Sequence, residues 1–470
     1  MKKIYFLLIF VAPLILFYKA FFNFFAADDF FILKISKVNS LREFLLFFSP
    51  KETYGQPFFR PLVQRAYPFF VKSIFGLNPF PFHLCSFALF FINILLVYKL
   101  IKRFTNKKNI ALLSSFLYGT NASNFISLHW IILFSQICMT TLFLLTIYFC
   151  LKKNNFAVIA FIFALFSIET AIIIPFALLL ITFFFPQKKQ KSLLPFFLIL
   201  VFYLLIMLFF GQIFSLFSEK NYALFISPKT FINNLFWYGL WSFGLPEMLI
   251  DFVGPGLKIN PNFLNWYLGY GLIFLASITI VVPWLLIKLI QAFKLKSKQK
   301  RLIIFFILWF ILTLGPVLVL PWHKFTYYLT VPLLGFSGLL STILIQTPKI
   351  HRAIIVTIFF ILSFTSIKLN EKTHWVIKRA KIAHSLIKTA KEKYPLPPKE
   401  ASFYLINDPH YPFISKEWGS SSTQAHHALS GESAFQVFYN DYSLKVYFED
   451  LNLPPPNTPN LYILEAVIPN

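Results

Sequence analysis

Side chains able to do acid–base chemistry are scarce in this chain: 18 Asp and Glu stand against 43 Lys and Arg. Two of the acids are adjacent, in Phe24-Phe25-Ala26-Ala27-Asp28-Asp29-Phe30-Phe31, directly after the first long apolar run. A carboxylate pair at a membrane edge is costly near lipid, so it asks for a role beyond stability. The role expected of Asp28 or Asp29 is general base, taking the proton of an attacking hydroxyl. The plainer alternative is a solvated loop start. Arg60 is the first candidate for holding an anionic group as preorganised positive charge, against service as an interfacial anchor. Lys324, with Tyr327 and Tyr328, is the second, against an aromatic belt. Glu169 lies inside an apolar stretch, where an acid points to function; it is expected to orient a substrate or to pair with Arg60 or Lys324. His83 stands at the outer end of an apolar run, where it either bonds to a substrate or is simply solvated. His426-His427 has no partnered spacing, so no metal site is assigned, and a requirement for a divalent ion is left open.

The elements that must position these residues are membrane helices. Hydrophobic residues make up 57% of the chain and charged residues 13%, far from the charge of a soluble domain, and apolar runs of about 18 or more residues recur. The formal charge of +25 does not indicate nucleic acid, because the basic residues fall in small clusters between apolar runs, the positive-inside pattern. Cys85, Cys138 and Cys150 all lie in apolar runs and offer no disulfide framework. The N-terminal run Ile4–Phe22 reads as an uncleaved span. Further spans are expected at Phe82–Ile101, Ile110–Phe125, Trp130–Leu151, Leu193–Phe210, Trp266–Ile290, Leu302–Leu320, Leu329–Ile345 and Ala353–Ile367. Between Lys152-Lys153 and Lys188-Lys189, both basic and so on one side, Phe156–Phe185 must go out and return, with two short helices meeting near Ile168-Glu169-Thr170. The count is about eleven crossings. Residues 1–367 thus form a transmembrane unit with external loops at about 23–81 and 211–262. The first loop carries an interfacial helix near Leu41–Phe48 and breaks at Pro57, Pro61 and Pro68. The tail, 368–470, is expected outside and separable from the chemistry. It should begin with a helix over Glu371–Lys393, followed by strand-like runs at Ser402–Ile406, Phe435–Tyr439, Leu444–Phe448 and Leu461–Leu464.

Four segments carry a family likeness: Asp28-Asp29; Arg60-Pro61-Leu62 with Gly76-Leu77-Asn78-Pro79-Phe80-Pro81-Phe82-His83-Leu84; Ser167-Ile168-Glu169-Thr170-Ala171 with Pro175; and His323-Lys324-Phe325-Thr326-Tyr327-Tyr328-Leu329 with Pro332. On these, the chain resembles the GT-C superfamily of glycosyltransferases, in particular bacterial relatives of the protein O-mannosyltransferases. The likeness covers roughly the first 340 residues. Two positions depart from the family: Ile168 stands where relatives usually have Lys, and Lys324 where they have Arg. The resemblance implies an all-α polytopic membrane enzyme; the helix and strand signals of the tail, outside the resemblance, add a small α/β extracytoplasmic C-terminal domain. It implies transfer of a sugar, with inversion, from a polyprenyl-phosphate donor to a lipid, glycan or protein acceptor at the outer face. The loop-one acid would be the base, with Asp28 favoured because it comes first in the pair. Two other classes compete, a flippase for lipid-linked saccharides and a surface-polysaccharide polymerase or ligase. The absence of an evident internal repeat and the outer placement of the polar residues favour the enzyme over the flippase.

Overall fold

The computed structural model describes residues 2–52, 58–186, 192–211, 219–254, 258–293, 297–411 and 419–469. Gly55-Gln56-Pro57 and the basic residues Lys188, Lys189, Lys191, Lys294 and Lys296 lie outside them. The chain is mostly helical. The helices that precede or form the early apolar runs are α1 (Lys2–Phe17), α2 (Asp28–Ile35), α3 (Leu41–Leu46), α4 (Tyr67–Phe75), α5 (Pro79–Thr105), α6 (Lys108–Thr120), α7 (Phe125–His129) and α8 (Phe134–Leu151). Then follow α9 (Phe156–Leu165), α10 (Ile174–Phe184), α11 (Leu194–Phe209), α12 (Pro228–Ser242), α13 (Pro261–Phe293), α14 (Ser297–Leu318), α15 (Pro332–Leu344), α16 (Lys349–Thr373) and α17 (Trp375–Lys393).

Among the described residues, six helical stretches are long and apolar enough to cross a membrane: Ile4–Phe22, Pro79–Thr105, Ile131–Leu151, Asn265–Gln291, Gln299–Leu318 and Lys349–Lys393. The last of these is broken at His374. Four further apolar helices are shorter, Phe156–Leu165, Glu169–Phe184, Leu194–Phe209 and Pro332–Leu344. The expected break around Glu169 is present: α9 ends at Leu165, Ile168 is extended, and a 3-10 turn over Glu169–Ile173 leads into α10. Local chemistry sets several boundaries. Asn78 caps α5, its Oδ1 accepting from the Phe80 N–H at 3.0 Å, with Pro79 at the first position. Gly76, at φ +65°, ends α4 in a conformation that other residues rarely adopt. The interfacial helix of loop one is short, six residues capped by Ser40.

Between α12 and α13, β1 (Val253–Gly254) and β2 (Lys258–Ile259) form a small antiparallel pair. After α17 come β3 (Ser402–Asn407), α18 (Ser421–Leu429), α19 (Ser433–Tyr439), β4 (Lys445–Phe448) and β5 (Leu461–Ala466). The three late strands make a parallel sheet in the order β4-β3-β5. Two expectations for the tail are corrected. Phe435–Tyr439 is helical: Ser433 to Val437 are all buried, which an alternating strand cannot do, and Asn440 closes the helix in the left-handed conformation. The run Glu371–Lys393 is two helices, because His374 is extended and its ring accepts from the Val376 N–H at 3.3 Å, capping α17.

Nor does the tail stand apart. One hydrophobic core contains Phe25, Phe30 and Leu33 of the first external segment together with Leu386, Phe403, Ala425, Phe435 and Leu464 of the tail. The Ala27 N–H donates to the Ala428 carbonyl at 2.9 Å, and Phe24 packs on His384 and Phe438. The phenylalanines flanking the acid pair need a partner surface, and the tail supplies it. A tail cut away at residue 401 would expose this shared core.

Candidate active site

The acid pair forms the first turn of α2. The residue before it, Ala27, has φ +50° and ψ −124°, a conformation costly for any side chain. Such strain persists only where neighbours enforce it, and it gathers at functional sites. Here the enforcing contact is the bond from Ala27 to Ala428.

The two acids have separate environments. Asp29 is buried, and its carboxyl oxygens accept the Ala26 N–H at 2.9 Å and the Ile132 N–H at 2.8 Å. It ties loop one to the start of α8. Burial pushes its pKa up to about 8, against the pull of those two N–H groups. Asp28 is exposed, and among the described residues its carboxylate has no hydrogen-bond partner. It lies in a crowded recess, whose desolvation raises its pKa, with Arg379 of α17 acting in the opposite direction. A raised carboxylate suits a base working near neutral pH.

The Asp29 shift has a consequence for stability. Its folded pKa lies above the ordinary value of 3.8, so between about 4 and 8 the folded chain holds a proton that the unfolded chain has released. Stability is fullest at the acid end of that window and falls as pH rises through it. The melting temperature of the purified protein is expected to fall from pH 5 to pH 9, and Asp29→Asn to flatten the fall. An unchanged slope in that variant would refute this assignment.

Arg60 and Glu169 meet across 109 residues of sequence. Arg60 Nε lies 3.0 Å from each Glu169 oxygen and Nη2 lies 2.7 Å from Oε2. The pair is partly buried, with side-chain exposures of 12% and 27%, and the guanidinium stacks over Phe58 at 4.1 Å. Burial opposes the charge on Arg60, but Glu169 outweighs it, so its pKa is raised. Tyr222 and Tyr328 lie close enough for their charge states to act on Arg60. Tyr327 and His323 are hydrogen-bonded at 3.1 Å, and Tyr222 packs on His323 with centroids 4.3 Å apart. Lys324 follows on the same turn, half-buried, with its pKa lowered by that burial. The structure therefore gathers Arg60, Glu169, Tyr327 and Tyr328, and leaves the acid pair in a neighbouring group.

The start of α8 connects the two groups. Ile132 binds Asp29, while Gln136 and Thr140, one and two turns on, bond to Thr330 at 3.0 and 2.7 Å. Thr330 closes the turn that carries Tyr327 and Tyr328. Arg60 is thus not the basic partner of the acids; it is taken by Glu169. His83 is fully buried, with Nδ1 3.0 Å from the Leu128 carbonyl and Nε2 3.1 Å from the Asn23 carbonyl. It acts as a strut between loop one and α7, with both ring nitrogens turned to backbone carbonyls.

Several residues near the site carry no signal in the sequence that would place them there. Trp130 donates to the Ala26 carbonyl at 3.1 Å and meets Trp375 edge-on at 4.8 Å. Glu247 is buried and accepts the Thr326 N–H at 2.7 Å and hydroxyl at 2.6 Å, with His374 at 3.3 Å. For Arg379 the sequence offers only its spacing of four from Trp375, which places the two on one helix face. The donor set around Asp28 is one free carboxylate opposed by a guanidinium, since both Asp29 oxygens are already engaged. That set does not suit a divalent ion, which takes several oxygen ligands.

Fold and site together define a mostly helical protein with six helices long and apolar enough to cross a membrane among the described residues, and with its functional candidates on the segments that join helices. No protein family, curated protein or solved structure matches the chain.

Proposed function

We propose that this protein is a membrane glycosyltransferase that moves a sugar from a polyprenyl phosphate to an acceptor hydroxyl at the outer face. The observation that carries this reading is Asp28: an exposed carboxylate without a hydrogen-bond partner among the described residues, on a strained turn, beside a twin that is fully engaged. In the reaction, the acceptor oxygen forms a bond to the anomeric carbon as the bond from that carbon to the phosphate oxygen breaks. The phosphate leaves with the electron pair, and Asp28 takes the hydroxyl proton. The Arg60–Glu169 pair supplies a fixed cation for the donor headgroup. This reading counts the six long helices, the four shorter apolar helices and α6 as eleven crossings. With the N-terminus inside, it assigns loop one, the Glu169 break, the His323–Tyr328 turn and the C-terminal domain to the extracytoplasmic side.

The test is transfer of sugar from a polyprenyl-phosphate donor by purified protein in detergent. A transferase works without a sealed membrane, and activity seen only as movement across intact vesicles would give the site to a flippase instead. Topology is checked separately, in a chain whose three native cysteines are replaced by alanine. A cysteine at Thr389 should react with a membrane-impermeant label on intact cells, and one at Asn109 should not. Both positions are exposed. Labelling at Asn109 from outside would reverse the arrangement.

A further inference from the structure

Helix α17 runs beside the acid pair: Trp375 meets Trp130, whose indole donates to the Ala26 carbonyl, and His384 packs on Phe24. Asp28 is exposed and has no hydrogen-bond partner among the described residues. On the same helix the Arg379 guanidinium lies over the Trp375 ring at 4.7 Å. The Arg379 Nε–H is buried and has no acceptor among the described residues, and its charge acts on both Asp28 and the partly exposed His427. Yet Asp28 and Arg379 form no ion pair within 4.0 Å. A buried donor without an acceptor is destabilising, and a guanidinium and a carboxylate that do not pair with each other both keep hydrogen-bonding capacity for a third group. The Ala27–Ala428 bond ties the start of α2 to α18, and Lys34 meets Glu432 at 3.4 Å, so the backbone that carries Asp28 is fixed against the tail.

We propose that Arg379 and Asp28 frame a subsite for a phosphate-bearing sugar, with Arg379 receiving a phosphate oxygen and Asp28 a sugar hydroxyl. A guanidinium offers phosphate a planar, two-pronged set of donors, and a carboxylate accepts from a hydroxyl. The sugar half rests on the transferase reading; the phosphate half stands on Arg379 alone. The C-terminal domain thereby contributes a binding residue to the site, which accounts for its being fused into the core of loop one. A lipid-linked phosphate and the phosphate of a soluble sugar offer the same chemistry here, so both are probed.

The experiment measures binding of a polyprenyl phosphate and of mannose 1-phosphate to the purified full chain in detergent, with uncharged polyprenol as control. Arg379→Gln is expected to weaken at least one phosphate probe by about tenfold or more, and Arg379→Lys to restore part of it. Asp28→Asn should keep or tighten that binding, because it removes a negative charge beside the phosphate. Loss confined to the lipid probe assigns the subsite to the donor, and loss confined to mannose 1-phosphate assigns it to the acceptor. Unchanged binding of both probes in Arg379→Gln overturns the proposal, as does failure of both to bind the wild type. Equal loss in the Gln and Lys variants with a lowered melting temperature also overturns it, by making Arg379 a packing residue. Charge-dependent phosphate binding without any transfer activity would leave the subsite standing and remove the transferase reading. Active transfer with normal binding by Arg379→Gln would do the reverse.

Discussion

Asp28→Asn is expected to reduce sugar transfer by about 100- to 10,000-fold, the usual cost of losing a general base, while the protein melts at the wild-type temperature. The separation of effects follows from the structure. Asp28 is exposed and bonds to nothing among the described residues, so an amide of the same size disturbs no contact. Asp29→Asn should behave differently. Its carboxyl oxygens serve two backbone N–H groups, from Ala26 and Ile132. An amide offers one oxygen and turns its NH2 toward the other donor. That leaves a buried N–H unpaired, at a cost of about 1–3 kcal/mol, and loosens the strained turn that presents Asp28. The Asp29→Asn protein should therefore lose both stability and activity, and the Asp28→Asn protein activity alone. Rates by each purified variant, set beside melting curves, decide it. Near-normal transfer by Asp28→Asn would remove the mechanism proposed for this site.

Arg60→Ala should lower transfer by about 100- to 1,000-fold, the scale seen when a donor that stabilises developing negative charge is removed. It also strands Glu169, a partly buried acid that loses its ion-pair partner, and a stranded charge destabilises by itself. The double variant Arg60→Ala/Glu169→Ala separates the two effects, because it removes the stranded charge along with the cation. If Arg60 serves the substrate, the double variant regains stability but not activity. If the pair is only a brace, activity returns with stability. Arg60→Lys should fall between wild type and Ala, since it keeps the charge and loses the planar contact to both Glu169 oxygens.

What the sequence by itself determines here is local and periodic. Apolar runs give the long helices; Asn78-Pro79 starts α5; the isolated acid in Phe156–Phe185 marks the break at Glu169; and adjacent carboxylates after the first run mark the candidate site. These features depend on residues a few positions apart, so spacing alone carries them. The tertiary structure decides everything that depends on which distant groups meet. Asp28 and Asp29 are chemically identical and adjacent, and it is the Ile132 N–H, supplied 103 residues later, that joins the local Ala26 N–H to make Asp29 a fixture, while Asp28 has no hydrogen-bond partner among the described residues. The same holds for the pairing of Arg60 with Glu169, the enclosure of His83 between two carbonyls, and the placement of Arg379 near enough to Asp28 for their charges to interact. The helix at Ser433–Tyr439 belongs with these, since its apolar run fits either a strand or a buried helix until its neighbours are known. Burial and Coulomb energies act through space, and a chain carries no mark of which of its charges will end up facing one another.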